Sequence, residues 1–129
     1  MRQKGFATLL AILVVGAVAT AITTSVVLLG VGSSKTSFAI EQSTQARALA
    51  VSCAEAALEQ IRIETGFSGT GNLSLGQGSC TYTVTTGAGE NRTVVSSGTV
   101  GTIIRKISIG ITQINPTITI SSWQEVADF

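Results

Sequence analysis

From Phe6 to Ser34 the chain carries no charged residue: 29 consecutive positions, bounded by Lys4 and Lys35. Crossing the hydrocarbon of a bilayer as an α-helix takes about 20 residues, so the run is long enough with length to spare. Arg2 and Lys4 precede it. Positive flanks are retained on the cytoplasmic side. The expected topology is therefore a single-pass cytoplasmic membrane protein, with everything after Lys35 outside.

Past Lys35 the chain is again patterned as a helix. No proline occurs before Pro116, and Gln45 to Arg62 is rich in Ala, Leu, Glu and Gln, all strong helix formers. At 3.6 residues per turn, Ala46, Leu49, Ala50, Cys53, Ala57 and Ile61 fall on one stripe. Glu41, Glu55, Glu59 and Arg62 group on the other side. This is an amphipathic helix whose apolar face centres near Cys53. If it continues from the apolar run, residues 6–62 extend about 85 Å. Gly30 and Gly32 lie at the junction, before Ser33 and Ser34. Each costs about 1 kcal/mol against alanine in a helix. They are read as glycines tolerated in a membrane helix, with a hinge that unwinds on assembly as the alternative.

Gly66 to Ser79 holds five glycines and is read as a connection. No lysine and no helical pattern directly follow those glycines, so it is not a phosphate-cradling loop. From Cys80 the period changes to two. Cys80, Tyr82 and Val84 alternate with Thr81, Thr83 and Thr85, the mark of a strand with one apolar face. Residues 86–91 are expected to turn, Arg92 to Ser97 to form a second strand, and Gly98 to Gly101 a second turn. Ile103 to Ile114 carries the strongest alternation, through Ile107, Ile109 and Ile111. Pro116 separates it from Thr117 to Ser121, an edge or final strand. Short connections imply an antiparallel meander of about four strands. Its apolar face needs a cover, and the helix stripe around Cys53 is the candidate. The expected fold class is α+β: a long N-terminal helix, membrane-spanning in its first half and amphipathic in its second, packed on a small antiparallel meander. The expected segments are 1–5, 6–34, 35–62 and 63–129.

The start of the chain carries a further signal. A basic leader of five residues ends in Lys4 and Gly5, then Phe6 opens the apolar run Ala7-Thr8-Leu9-Leu10-Ala11-Ile12-Leu13-Val14-Val15. This resembles the class III signal of type IV pilins and pseudopilins, specifically over residues 1 to about 62 and by architecture beyond. The resemblance implies cleavage by a prepilin peptidase between Gly5 and Phe6, with N-methylation of Phe6. It implies a pilin-like fold whose helix serves first as a membrane anchor and later as a filament core. The implied partners are other pilin subunits through that helix, the prepilin peptidase, an inner-membrane assembly platform, and membrane lipid before assembly. Most major pilins of the family carry a glutamate at the fifth position after the cut. Here that position is Leu10. Within the family, some minor subunits at filament tips also lack it, so the departure implies a minor, initiating or tip pilin.

Two cysteines, Cys53 and Cys80, are present. In an exported domain an even pair reads as a disulfide, and both point at the same expected interface; two buried free thiols are the alternative. Two cysteines do not complete a four-ligand zinc site, and no metal or cofactor is expected. The chain has no histidine, the commonest general base. Glu55 and Glu59 face away from the apolar stripe, so they are expected to form a solvated or subunit-facing cluster. An enzyme is not expected. The net charge is +1, or −1 without Arg2 and Lys4, and neither value suggests a nucleic-acid surface. Asn72-Leu73-Ser74 and Asn91-Arg92-Thr93 fit the N-glycosylation pattern and are read as surface turns. Trp123 is expected to anchor the last segment onto the sheet, with an exposed contact residue as the alternative. The rival to the filament reading is a secreted or membrane-anchored β domain with a binding role. Its conventional signal peptide would be cut after Ala19-Thr20-Ala21. Against it, apolar residues continue to Val31, beyond the roughly 7–15 residues of a signal peptide's hydrophobic region.

Overall fold

The structure, a computed structural model, describes residues 2–128. Met1, of the expected leader, and Phe129 lie outside the described residues. One helix, α1 (Arg2–Ile63), precedes five strands: β1 (Gly69–Leu75), β2 (Gly78–Thr86), β3 (Arg92–Val100), β4 (Ile103–Gln113) and β5 (Thr119–Val126). The fold is α+β. Two compact units divide it, residues 1–39 and residues 40–129.

The first unit is helix alone. Gly30 and Gly32 are helical, and a Cβ at either would meet nothing within 4 Å. Thr20, Thr23, Thr24 and Ser25 each donate their hydroxyl to the carbonyl four residues back. Those polar atoms are satisfied within the helix, as an apolar surrounding requires. The helix is long and apolar enough to cross a membrane.

In the second unit α1 packs on a sheet of order β1-β2-β3-β4-β5, antiparallel throughout. The stripe expected from the helical period is the core. Ala46, Ala50, Cys53, Ala57 and Ile61 have no exposed surface, and Leu49 is buried beside them. From the sheet come Cys80, Tyr82, Val84, Val94, Ile107, Ile109 and Ile111, every second residue of their strands. Ala46, Ala50 and Ala57 of the stripe, with the buried Ala54 beside them, allow the helix backbone to approach β3 closely. Gly98 lies at that point. A Cβ on it would fall 2.6 Å from the Ala50 nitrogen and against the Ala46 carbonyl oxygen. Beside it the fully buried Ser96 donates its hydroxyl to the Ala50 carbonyl.

Three expectations are corrected. The segment 66–79 is not wholly a loop, because it contains β1. This edge strand pairs with β2 from Gly69↔Val84 to Leu75↔Gly78. It hides little surface, and its helix-facing positions include Gly69 and Gly71, so it shows no apolar alternation. Gly71 is required where it stands, since a Cβ there would overlap the Tyr82 ring. The second correction concerns Gly98 to Gly101. Strand β3 continues to Val100, and the turn is the pair Gly101-Thr102 between Val100 and Ile103. Gly101 has φ +60° and Gly76, opening the β1–β2 turn, has φ +61°. Both sit at the first position of two-residue hairpins, where a positive φ favours glycine. Third, β5 runs on to Val126, and Trp123 within it is 42% exposed rather than packed away. It lies opposite Ile109 on the edge strand.

Gly98→Ala should therefore destabilise the domain by about 1–3 kcal/mol through overpacking against helix backbone. Gly66→Ala, where the added Cβ meets nothing, should change stability by less than about 0.5 kcal/mol. Urea unfolding of the full-length protein in detergent micelles compares the two.

Candidate functional surfaces

Two surfaces carry the chemistry open to this chain. The first is the apolar run of α1. Phe6 is 69% exposed and Leu29 is 74% exposed, with Ile12, Val15, Val18, Ile22 and Leu28 exposed between them. Exposing a Val, Leu or Ile rather than burying it costs about 1.5–3 kcal/mol. A whole domain is stable by only about 5–15 kcal/mol. A run of this length is apolar enough to cross a membrane. Gly5 and Phe6 both lie on α1, exposed, and a Cβ on Gly5 would meet nothing within 4 Å. Leu10 is 46% exposed. No carboxylate stands among Phe6–Ser34.

The second surface lies on the unit of residues 40–129. Cys53 and Cys80 are bonded, with Cα atoms 6.0 Å apart, and both are buried. The bond joins the middle of the helix stripe to β2. The far end of the helix is tied by other means. Arg92 donates to the Thr65 carbonyl at 2.9 Å and to the Gly89 and Asn91 carbonyls at 3.0 and 2.8 Å. Glu90 accepts from the Ile114 amide at 3.1 Å. The β2–β3 turn is thereby held both to the chain leaving α1 and to the end of β4. Neither Arg92 nor Glu90 stands out in the sequence, because each works through backbone atoms.

Between α1 and the β4–β5 connection runs a groove of about 570 Å³. Leu58, Ile114, Pro116 and Ile118 supply its apolar lining, and Glu55, Glu59 and Arg62 its charged side. Glu59 and Arg62 pair at 3.5 Å. Glu55 and Glu59 lie on the outer side of α1, in keeping with a solvated or subunit-facing cluster. Elsewhere Glu125 pairs with both Arg47 and Arg105, and Lys106 with Asp128. Asn72 lies on β1, in a strand rather than a turn, and Asn91 is exposed beside the β2–β3 turn. Among the described residues no three His, Cys, Asp or Glu side chains group as metal ligands.

No family model matches the chain, nor does any curated protein or solved structure.

Opening the Cys53–Cys80 bond releases a loop closed over a separation of 27 residues. The chain-entropy model puts its contribution at about 3–4 kcal/mol. Cys53→Ser with Cys80→Ser should lose about that much. Urea unfolding of the full-length protein, with and without reductant, reads it: reductant should shift the wild-type midpoint and leave the double variant unmoved.

Proposed function

We propose that this chain is a structural subunit of a type IV pilus-like or type II secretion-like filament. The observation that carries the reading is that one helix, α1, supplies both the exposed charge-free run and the stripe that closes the core of the sheet. A conventional signal peptide is discarded and has no reason to share a helix with the folded domain. A filament subunit needs that sharing, because the helix that anchors it in the membrane later packs against its neighbours.

In this reading the prepilin peptidase cuts after Gly5 and Phe6 becomes the methylated amino terminus. Before assembly, residues 6–34 lie in the cytoplasmic membrane and the C-terminal domain stands outside. An inner-membrane assembly platform then moves subunits from lipid into a filament at the cell surface. Helices bundle in its core, with the β domain outward. The chain acts as scaffold, not as enzyme.

Leu10 refines the role. A carboxylate in the bilayer costs about 2.5–3.5 kcal/mol on insertion scales, so it is kept where a partner charge compensates it. A subunit with leucine there lacks that device for docking onto the next amino terminus. This favours a minor, initiating or tip pilin over the bulk subunit.

Two experiments test these statements. Gly5→Leu places its side chain in open space, so it leaves folding alone and acts only on processing; unprocessed precursor should accumulate in the membrane. Normal processing of the variant would contradict the cleavage assignment. Supplied as the only pilin in an assembly-competent cell, the protein should make no long filaments. Long filaments of this chain alone would remove the tip role.

A further inference from the structure

Beyond Phe6 the chain has six cationic side chains: Lys35, Arg47, Arg62, Arg92, Arg105 and Lys106. Five are engaged within the chain. Arg47 and Arg105 share Glu125, Arg62 pairs with Glu59, Lys106 with Asp128, and Arg92 donates to three carbonyls. Lys35 is the sixth, exposed and without a partner among the described residues. Phe38 stands three residues later, 61% exposed. At that spacing on a helix the two side chains share a face. They present an ammonium group beside an aromatic ring.

The complementary surface is the groove beside α1. Glu55 lines it with no partner among the described residues, together with Leu58, Ile114, Pro116 and Ile118, while the other charged lining residues, Glu59 and Arg62, pair with each other. A carboxylate beside apolar side chains selects a cation with an apolar neighbour. We propose that Lys35 and Phe38 of one copy dock into the Glu55 groove of the next. The Lys35 ammonium meets the Glu55 carboxylate, and the Phe38 ring covers Leu58, Pro116 and Ile118. A lipid phosphate would satisfy Lys35 but leaves the groove empty and Glu55 unpaired. A second copy satisfies both. Knob and groove are different patches of one chain, so the contact is head-to-tail and repeats without closing unless the rotation happens to close it. Taken alone it does not replace the amino-terminal docking device that Leu10 lacks, so it joins neighbouring copies without extending them into a long filament. The inference rests on the filament-subunit reading and names one of its contacts.

The test uses full-length protein in its native membranes and in any filaments sheared from cells. A carbodiimide joins a carboxylate and an ammonium in direct contact as an amide, with loss of water. The cross-linked dimer should yield a peptide in which Lys35 is joined to Glu55. Dimers joined only through other pairs would overturn the proposal and leave the filament reading standing. An absence of dimers from both preparations would overturn the proposal, whereas a mature chain that begins at Ile22 would overturn the filament reading itself. Charge exchange supplies the second measurement. Lys35→Glu and Glu55→Lys each lie outside the buried core, so neither disturbs it. Each alone should lower incorporation into filaments at least about tenfold, the effect of one ordinary interfacial ion pair. The double exchange should restore it. Failure of Lys35→Glu alone, with Glu55→Lys unaffected, would assign Lys35 to lipid headgroups and overturn the pairing.

Discussion

The close contact between the alanine face of α1 and strand β3 is what the β domain depends on. Among the described residues the sheet has one apolar face, and α1 is the only helix to cover it. Ala46, Ala50, Ala54 and Ala57 keep the helix surface shallow. Gly98 removes the one side chain that would hold the backbones apart. Ser96 turns the closeness into a hydrogen bond with the Ala50 carbonyl. A small domain has little apolar area with which to offset its chain entropy, and its core is thin in large side chains. The Cys53–Cys80 bond stands beside this contact, since Cys80 of β2 pairs with Gly98 of β3.

Much of this is legible in the sequence. The helix stripe is visible because six residues keep a period of 3.6 over four turns, and all six are buried. Strands β2 and β4 are visible because buried Cys80, Tyr82 and Val84 alternate with threonines, and buried Ile107, Ile109 and Ile111 with Lys106, Ser108, Gly110 and Thr112. The cysteine pair is legible once both cysteines fall on faces directed at one interface. Strand β1 is not, because an edge strand hides little and so needs no apolar alternation. Its signal is instead Gly76-Gln77, a two-residue turn with glycine first. Gly98 reads as punctuation because a glycine in a strand has two meanings, a turn or a close approach of backbone, and only the packing of α1 decides between them. Trp123 escapes the expectation of packing because an aromatic on an edge strand is covered only where a neighbour reaches it.

The candidate surfaces divide the same way. The apolar run is evident from its lack of charge, and it locates Gly5, Phe6 and Leu10 at once. The Glu55 groove is not evident, since its lining comes from residues 55–62 and 114–118, which only folding brings together. Nor is the state of Lys35, which stands out only after the other cations beyond Phe6 have been assigned to partners.

An exposed apolar run, and a folded domain closed by the same helix, together define the physical problem this chain solves. In the filament reading proposed above, the run takes lipid first and protein afterwards, while the domain keeps its fold through the exchange. That claim fails if the run is removed during export. The most direct measurement is therefore the mass of the mature amino-terminal peptide from protein taken from the cell. The filament account predicts a chain that begins at Phe6 with one added methyl group. A chain that begins at Ile22 would contradict it, since the run would then have served only for export.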